Sequence, residues 1–222
     1  CDAASGEQDV MTAATEVRDR VEALLAGPQP LPIVQAGDPV LRAVAGPYEG
    51  QLGDGLLTQL IMAMRATMHA APGVGLAAPQ VGLSLAVAVV EDQWPVDEEV
   101  AAARERSPVP FRVLVNPRYE PVGDERVGHY EGCLSVEGWQ AVRSRWRTVR
   151  LRCQDETGAE VDEVLQGWAA RIVQHETDHL QGRLYVDHAE MRSLVAPPNA
   201  LRWADPTPHR AAQALGFDLP QG

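Results

Sequence analysis

An H-E-x-x-H motif in a helix-compatible segment constrains this chain more than any other feature. The motif runs from His175 to His179 and follows the mainly apolar residues 168–173. Residues four apart on a helix lie one turn above each other, about 5–6 Å apart, so the two imidazoles can bind one metal ion. Glu176 follows the first histidine and can reach a water molecule on that metal. The motif therefore predicts a metal-dependent hydrolytic site on a helix.

The composition excludes several other classes of protein. The chain has 222 residues, of which 45% are hydrophobic, and this suits one globular domain with its own core. A net charge of −12 argues against direct nucleic-acid binding, which needs a cationic surface. Because all 19 basic residues are arginine, Schiff-base, pyridoxal-phosphate and P-loop lysine chemistry are excluded.

The cysteines and the hydropathy pattern indicate where the protein works. Three cysteines cannot form a dense disulfide framework, so a reducing cytoplasm is the expected location. Cys153 alternates with charged residues in a predicted strand and is expected to be a buried thiol. The chain shows no signal-peptide pattern, and no apolar run reaches the roughly 18–20 residues of a membrane span, so no membrane association is expected.

The residue pattern divides the chain into three segments. Residues 1–30 are an acidic extension, in which apolar residues at three- and four-residue steps predict an amphipathic helix near 8–26. Residues 31–190 carry the strands and the H-E-x-x-H helix and form the predicted catalytic domain. Residues 191–222 are punctuated by proline and are expected to form a loosely structured tail.

The elements predicted inside the catalytic domain indicate an α+β fold. An apolar stripe predicts a helix over 56–68, whose methionines are expected to pack in the core. Apolar and alternating patterns predict strands at 85–90, 111–115 and 148–154, and the charged segment 91–110 is expected to be a loop. Since no alternating βαβ pattern is present, we expect mainly antiparallel β-sheets packed around the central helix that carries H-E-x-x-H.

Catalytic metal sites of this kind use three protein ligands, so a third ligand must accompany the two histidines. Six residues after His179 stands Tyr185, where metzincins have a histidine, and the only later glutamate is Glu190, closer than in thermolysin-like enzymes. His188 is a candidate without a recognised spacing. Cys133 is the better candidate, since a thiolate binds divalent ions strongly and Cys with two His is a known open catalytic set.

A glycine-rich segment upstream is a third candidate part of the site. Residues 73–80 read G-V-G-L-A-A-P-Q, and the glycines let a backbone approach a substrate closely. Gln80 offers a neutral amide donor. The spacing is not the G-x-G-x-x-G of a dinucleotide-binding loop.

Three segments in order resemble the three signature segments of the peptide deformylase family. They are G-V-G-L-A-A-P-Q at 73–80, E-G-C-L-S at 131–135 and Q-H-E-T-D-H-L at 174–180, and the resemblance extends over about 31–188. Peptide deformylases remove the formyl group from the N-terminal formyl-methionine of nascent bacterial proteins. The resemblance therefore implies N-formylmethionyl peptides as substrates and formate as a product.

The resemblance also implies which residues act. Cys133, His175 and His179 would hold one divalent metal ion, which in this family is Fe²⁺, with Zn²⁺ or Ni²⁺ also tolerated. Glu176 would take a proton from the attacking water and pass it to the leaving amine. Gln80 and the backbone N–H of Leu134 would stabilise the oxyanion. The peptide would lie along Val74 and Gly75 as an added strand, and Val74, Trp168 and Ile172 match family positions in the pocket for the methionine side chain.

The chain departs from the family pattern at three places. Gln140 stands where some members have an arginine that touches the substrate backbone, and His129 stands at a pocket position that is often aliphatic. The basic C-terminal helix that some relatives use to meet the ribosome has no match in 191–222. Ribosome contact therefore stays open, as does a specialised or resistance role.

Two other functions are also consistent with the sequence. A zincin-like endopeptidase would use His175, His179 and His188 and would not need Cys133. A non-catalytic metal- or peptide-binding module would have the same scaffold, but such a module needs neither Glu176 nor Gln80.

Overall fold

The structure is a computed structural model that describes residues 15–220. Its helices are α1 (residues 15–25), α2 (Gly53–Ala70), α3 (Glu98–Ala103), α4 (Gly167–Leu180) and α5 (His209–Leu215). Short 3₁₀ helices span Pro39–Leu41, Ala78–Val81, Tyr185–His188 and Pro197–Trp203. Among residues 15–220, no helix combines the length and the apolar character needed to cross a bilayer.

Within residues 15–220, eight strands form two antiparallel sheets. The strands are β1 (Gly75–Ala77), β2 (Val87–Asp92), β3 (Val109–Pro121), β4 (Arg126–Cys133), β5 (Val136–Trp146), β6 (Thr148–Gln154), β7 (Glu160–Gln166) and β8 (Ala189–Val195). One sheet has the order β1-β2-β3-β6-β7 and the other the order β4-β5-β8. Helix α4 contacts strands of both sheets. The predicted α+β class, with antiparallel sheets around the H-E-x-x-H helix, is confirmed.

Strand β2 of the five-stranded sheet is buried on both faces, which explains its continuous apolar run. Successive side chains of a strand point to opposite faces. Val87 and Val89 therefore pack with α1 and α2, whereas Ala88 and Val90 pack in a second cluster with α4. Cys153 lies in that second cluster as a buried free thiol, as predicted, and burial raises its pKa to about 11.

Helix α2 forms because its apolar stripe faces the sheet. Met64 and Met68 are fully buried in the first cluster, so their predicted role in core packing is confirmed. The helix is longer than predicted by about a turn, with Gly53 at its start and Ala70 at its end. In the predicted helix 8–26, residues 15–25 are helical, and residues 8–14 lie outside the described part of the chain.

Two expectations about irregular segments were wrong. The segment 91–110 contains α3, which begins after Asp97 and carries Glu98 and Glu99 in its first turn, where acidic residues stabilise a helix. The C-terminal segment is structured through β8, a 3₁₀ helix and α5, and it packs on the three-stranded sheet around Tyr130 and Val142. The prolines of this segment lie at the boundaries of these elements and do not prevent regular structure between them.

Candidate metal centre and substrate cleft

Helix α4 brings both histidines of the motif to the end of strand β4. The imidazole rings of His175 and His179 lie with centroids 5.0 Å apart. Cys133 ends β4, and its Sγ lies 3.2 Å from Nε2 of His179. One ligand atom from each of the three residues lies within 4.8 Å of the others. The structure therefore assembles the sulfur and the two nitrogens around one point.

This donor set fits a divalent transition metal. A tetrahedral ion with metal–sulfur and metal–nitrogen bonds of about 2.3 and 2.0–2.1 Å places sulfur and nitrogen about 3.5 Å apart, close to the distance between Cys133 and His179. His175 uses Nδ1 in a contact with Glu131 Oε2 at 3.1 Å, which leaves Nε2 for a ligand. A ligating histidine commonly has such a carboxylate on its other nitrogen.

Glu131 is in turn held by two buried arginines. Arg145 is bidentate to it, with Nε–Oε1 and Nη2–Oε2 distances of 2.6 and 2.9 Å, and Arg171 also contacts Oε1. Burial raises the pKa of Glu131. The charges of Arg145 and Arg171 and the contact with His175 outweigh the effect of burial and hold this pKa well below its usual range. Arg145 Nη1 reaches Asp178 Oδ2 at 2.8 Å, so one network orients the histidine and braces α4.

The two motif histidines have opposite pKa shifts. Burial lowers the pKa of His175, but contacts with Cys133 and Glu131 outweigh it and raise the pKa to about 10. The pKa of His179 falls well below its usual value, because burial and the neighbouring His175 both disfavour its charged form.

The environment of Glu176 suits proton transfer. Its side chain is 3% exposed, and Oε2 has no hydrogen-bond partner among the described residues. Burial raises its pKa to about 7, partly offset by the charges of His175 and Arg145. A carboxyl group with a pKa near neutrality can both accept and return a proton.

Strand β1 approaches Glu176 at Gly75. A Cβ atom added at Gly75 would lie 2.2 Å from Oε1 of Glu176, a distance that real Cβ contacts do not reach. Only glycine lets the backbone of β1 pass this close to the carboxyl group. The close approach sets the position of β1 relative to α4.

Gln80 and Leu134 also face this centre. Gln80 lies in the 3₁₀ helix Ala78–Val81 and its Oε1 accepts the backbone N–H of Ala77 at 2.9 Å. This turns its amide nitrogen toward Cys133 Sγ at 3.6 Å and Ser135 Oγ at 3.3 Å. Leu134 follows Cys133 in the turn between β4 and β5.

A cleft of about 720 Å³ opens onto the centre. Its walls contain nine of the ten residues predicted for the site, and His179, which is buried, is the exception. The cleft residues are Val74, Gly75, Gln80, Cys133, Leu134, Trp168, Ile172, His175 and Glu176. Trp168 is fixed there by a hydrogen bond from Nε1 to Asp92 Oδ2 of 2.6 Å.

The structure places the other residues singled out from the sequence at different points. Gln140 lines the cleft. His129 is buried and lines a second cavity of about 200 Å³ instead. His188 is exposed and does not belong to the Cys133 group, so it is not placed to serve as a third ligand.

A known protein family matches most of this chain. The sequence profile described as Polypeptide deformylase matches residues 30–194, about three quarters of the chain. The chain belongs to the peptide deformylase family. It is 63% identical to Peptide deformylase 3 of Streptomyces avermitilis over 213 residues, which covers 96% of this chain and 95% of that one. The resemblance carried by the three segments is thereby confirmed.

Solved structures of the family have the same fold. A peptide deformylase of Acinetobacter baumannii bound to Met-Ala-Ser is 36% identical, with a TM-score of 0.64 over 71% of this chain and 97% of that one. A Synechococcus elongatus peptide deformylase in complex with actinonin is 32% identical, with a TM-score of 0.62 over 86% and 89%. This family of deformylases consists of metal-dependent hydrolases, and the Cys133 group is the candidate metal site of this member.

Sequence reasoning missed several parts of the site. Glu131 could have been predicted as part of the site, because it stands two residues before Cys133 on the same face of β4. Arg145 and Asp178 gave no such signal, because a charge in a strand or helix normally faces water. The C-terminal segment was also missed, although it contributes Trp203 to the cleft.

Proposed function

We propose that this deformylase removes the formyl group from N-formylmethionyl peptides at a divalent metal held by Cys133, His175 and His179. The observation that carries the proposal is the buried carboxylate of Glu176 beside these three ligands in an open cleft, since its Oε2 has no hydrogen-bond partner within residues 15–220. Three protein ligands leave one coordination position open, as hydrolytic sites require.

Iron(II) is the proposed physiological ion, and Zn²⁺ or Ni²⁺ are alternatives. When bound, the cation supplies a Lewis acid that polarises the formyl carbonyl and acidifies water. A mixed thiolate and imidazole set suits several borderline metals, so availability decides between them. A thiolate ligand such as Cys133 also needs a reducing compartment, which supports the cytoplasm as the location.

Glu176 is the proposed proton carrier. Its Oε2 takes a proton from the attacking water as oxygen bonds to the formyl carbon. The same carboxyl group then gives the proton to the amine as the carbon–nitrogen bond breaks, so that formate and a free α-amine result. A pKa of about 7 suits both transfers at neutral pH.

Gln80 and Leu134 are the proposed oxyanion donors. The Gln80 amide nitrogen is held near Cys133 by its contact with Ala77, so it needs no rearrangement to donate. The Leu134 backbone N–H makes no hydrogen bond within residues 15–220. Each donor of this kind is worth about 3 kcal/mol of transition-state stabilisation.

The peptide is proposed to extend the five-stranded sheet. Strand β1 forms one edge of that sheet, so one side of its backbone is free for an added strand. Main-chain hydrogen bonds along Val74 and Gly75 would accept any sequence, which suits an enzyme that processes many nascent chains. The methionine side chain would lie against Val74, Trp168 and Ile172.

Ribosome contact is not part of this proposal. Helix α5 has seven residues and one arginine, Arg210, which is engaged by Asp205. Such a helix lacks the cationic surface that binds ribosomal RNA.

The test combines formate release from formyl-Met-Ala-Ser with metal analysis of the same sample. We expect formate release with about one metal per chain in the wild type. The Glu176→Ala variant should keep the metal and lose about 10²–10⁴-fold in turnover, whereas the exposed Glu98→Ala should behave as wild type. Formate release by Glu176→Ala at the wild-type rate would refute the proton-transfer role.

A further inference from the structure

We propose that the second cavity binds a small oxyanion of the formate or phosphate type. This arginine cavity has a volume of about 200 Å³, and its polar lining consists of Arg104, Arg147, Arg171, His129 and Glu105. It lies between α3, β4, β5 and the first turn of α4. The proposal goes beyond deformylation and does not depend on it.

One guanidinium group of the arginine cavity has no carboxylate partner within residues 15–220. Arg147 is paired with Glu105 and Glu125, and Arg171 contacts Glu131. Arg104 follows α3 as its C-cap, and its guanidinium group makes no ion pair or hydrogen bond with any residue in the described range. An unpaired charge at a partly buried site is costly, and a bound anion would compensate it.

Two buried nitrogen atoms of the cavity lining lack hydrogen-bond partners among the described residues. They are Nε of Arg104 and Nδ1 of His129. His129 is 5% exposed, and its imidazole ring makes no hydrogen bond with the described residues. Burial and the charges of Arg171 and Arg104 lower its pKa to about 3, against the opposing effect of Glu131 and Glu105. The imidazole is therefore neutral, with one N–H to donate to an anion.

The size and chemistry of the cavity suit an oxyanion. Water takes about 30 Å³ per molecule in the liquid, so the cavity accommodates formate or phosphate with some water. Planar guanidinium groups donate paired hydrogen bonds to carboxylate and phosphate oxygens. Gly167, at the start of the 14-residue helix α4, also lines the cavity, and the positive end of the helix dipole adds to the attraction.

The arginine cavity adjoins the substrate cleft. Arg104 and Arg171 line both. If the cleft releases formate, a neighbouring oxyanion site offers that product a place away from the metal centre. This last link rests on the proposed function, whereas anion binding itself does not.

Histidine NMR on the full-length, metal-loaded protein tests the proposal. Sodium formate and sodium phosphate are titrated separately, and the ring nitrogen signals of His129 are followed after assignment with His129→Gln. We expect a saturable shift of these signals with at least one of the two anions, at constant ionic strength. A shift with formate alone identifies a product site, a shift with phosphate alone a phosphate site, and a shift with both a general oxyanion site.

A charge variant and a matched control complete the experiment. Arg104→Gln should weaken anion binding by at least about tenfold, because it removes the uncompensated charge-assisted donor. Arg150→Gln should leave binding unchanged, since Arg150 is exposed and paired with Asp162 outside the cavity. The proposal is overturned if neither anion shifts His129, or if a folded Arg104→Gln binds as tightly as wild type. Should Arg104→Gln not fold, the His129 titration of the unsubstituted protein decides alone.

Discussion

Replacing Gly75 by alanine would place a methyl group where the Glu176 carboxyl group lies. The added Cβ would be 2.2 Å from Oε1, 2.5 Å from Cδ and 2.7 Å from Cγ of Glu176. Non-bonded carbon atoms pack best at about 3.5–4.0 Å. The carboxyl group, or strand β1, must therefore move by about 1 Å.

We expect a displacement of the carboxyl group or of strand β1 to lower the stability or the activity. Glu176 is buried, so a displaced side chain meets neighbours, and overpacking of this kind costs about 1–3 kcal/mol of stability. A misplacement of about 1 Å at a reacting group costs about 10²-fold in rate. We expect Gly75→Ala to fold, to bind metal and to lose about 10²-fold in kcat/KM, with a modest fall in Tm.

The assay is formate release from formyl-Met-Ala-Ser with thermal unfolding of the same samples. Gly55→Ala is the control, because an added Cβ there meets nothing within 4 Å. A double variant tells whether the effect passes through Glu176. If it does, adding Gly75→Ala to Glu176→Ala causes little further loss, because the group being displaced is already gone.

Two results would refute this reasoning. Gly75→Ala with wild-type kcat/KM would show that the carboxyl group tolerates the displacement. A full additional loss in the Glu176→Ala background would show that Gly75 acts through the peptide-binding edge of β1 instead.

Three further predictions concern the metal centre. Cys133→Ser should lose metal or activity, measured by metal analysis and formate release, whereas a site built on His188 would stay loaded. Glu131→Gln should weaken metal binding by about 10–100-fold in a chelator competition. The same variant should lower the free energy of unfolding by about 3–5 kcal/mol in urea, since Arg145 loses one of its two buried charge partners; unchanged stability would contradict the network. If iron is the physiological ion, the iron-loaded enzyme should lose activity in air faster than the zinc-loaded one through oxidation of the metal or Cys133, and equal lifetimes would argue against iron.

The elements with a strong local pattern could be predicted closely from the chain. Strand β6 has the predicted bounds of 148–154, because its side chains alternate between a buried face and a more exposed face. Helix α2 was found from its apolar stripe, with only the ends missed. In contrast, α3 was missed because a six-residue helix without buried residues leaves no apolar stripe to detect.

The candidate site was also predicted unevenly. The two histidines and Glu176 could be proposed because their relation is set by the pitch of a single helix. Cys133 was only the better of several candidates until the likeness of three segments to a known family supported it, since it lies 42 positions before His175. Glu131 was in the right segment without a recognised role, and Arg145 and Arg104 were not found at all.

The amino-acid sequence alone determines the helix with the H-E-x-x-H motif and the antiparallel strands. It also determines which atoms are able to bind a metal. These properties follow from local periodicity and from the chemistry of single side chains. The packing of β4 against α4 settled the rest, namely the 3.2 Å approach of Cys133 to His179, the buried pairing of Glu131 with Arg145, and the unpaired state of Arg104. Those features depend on distances between residues far apart in sequence and on the loss of water around them, and no local pattern encodes either.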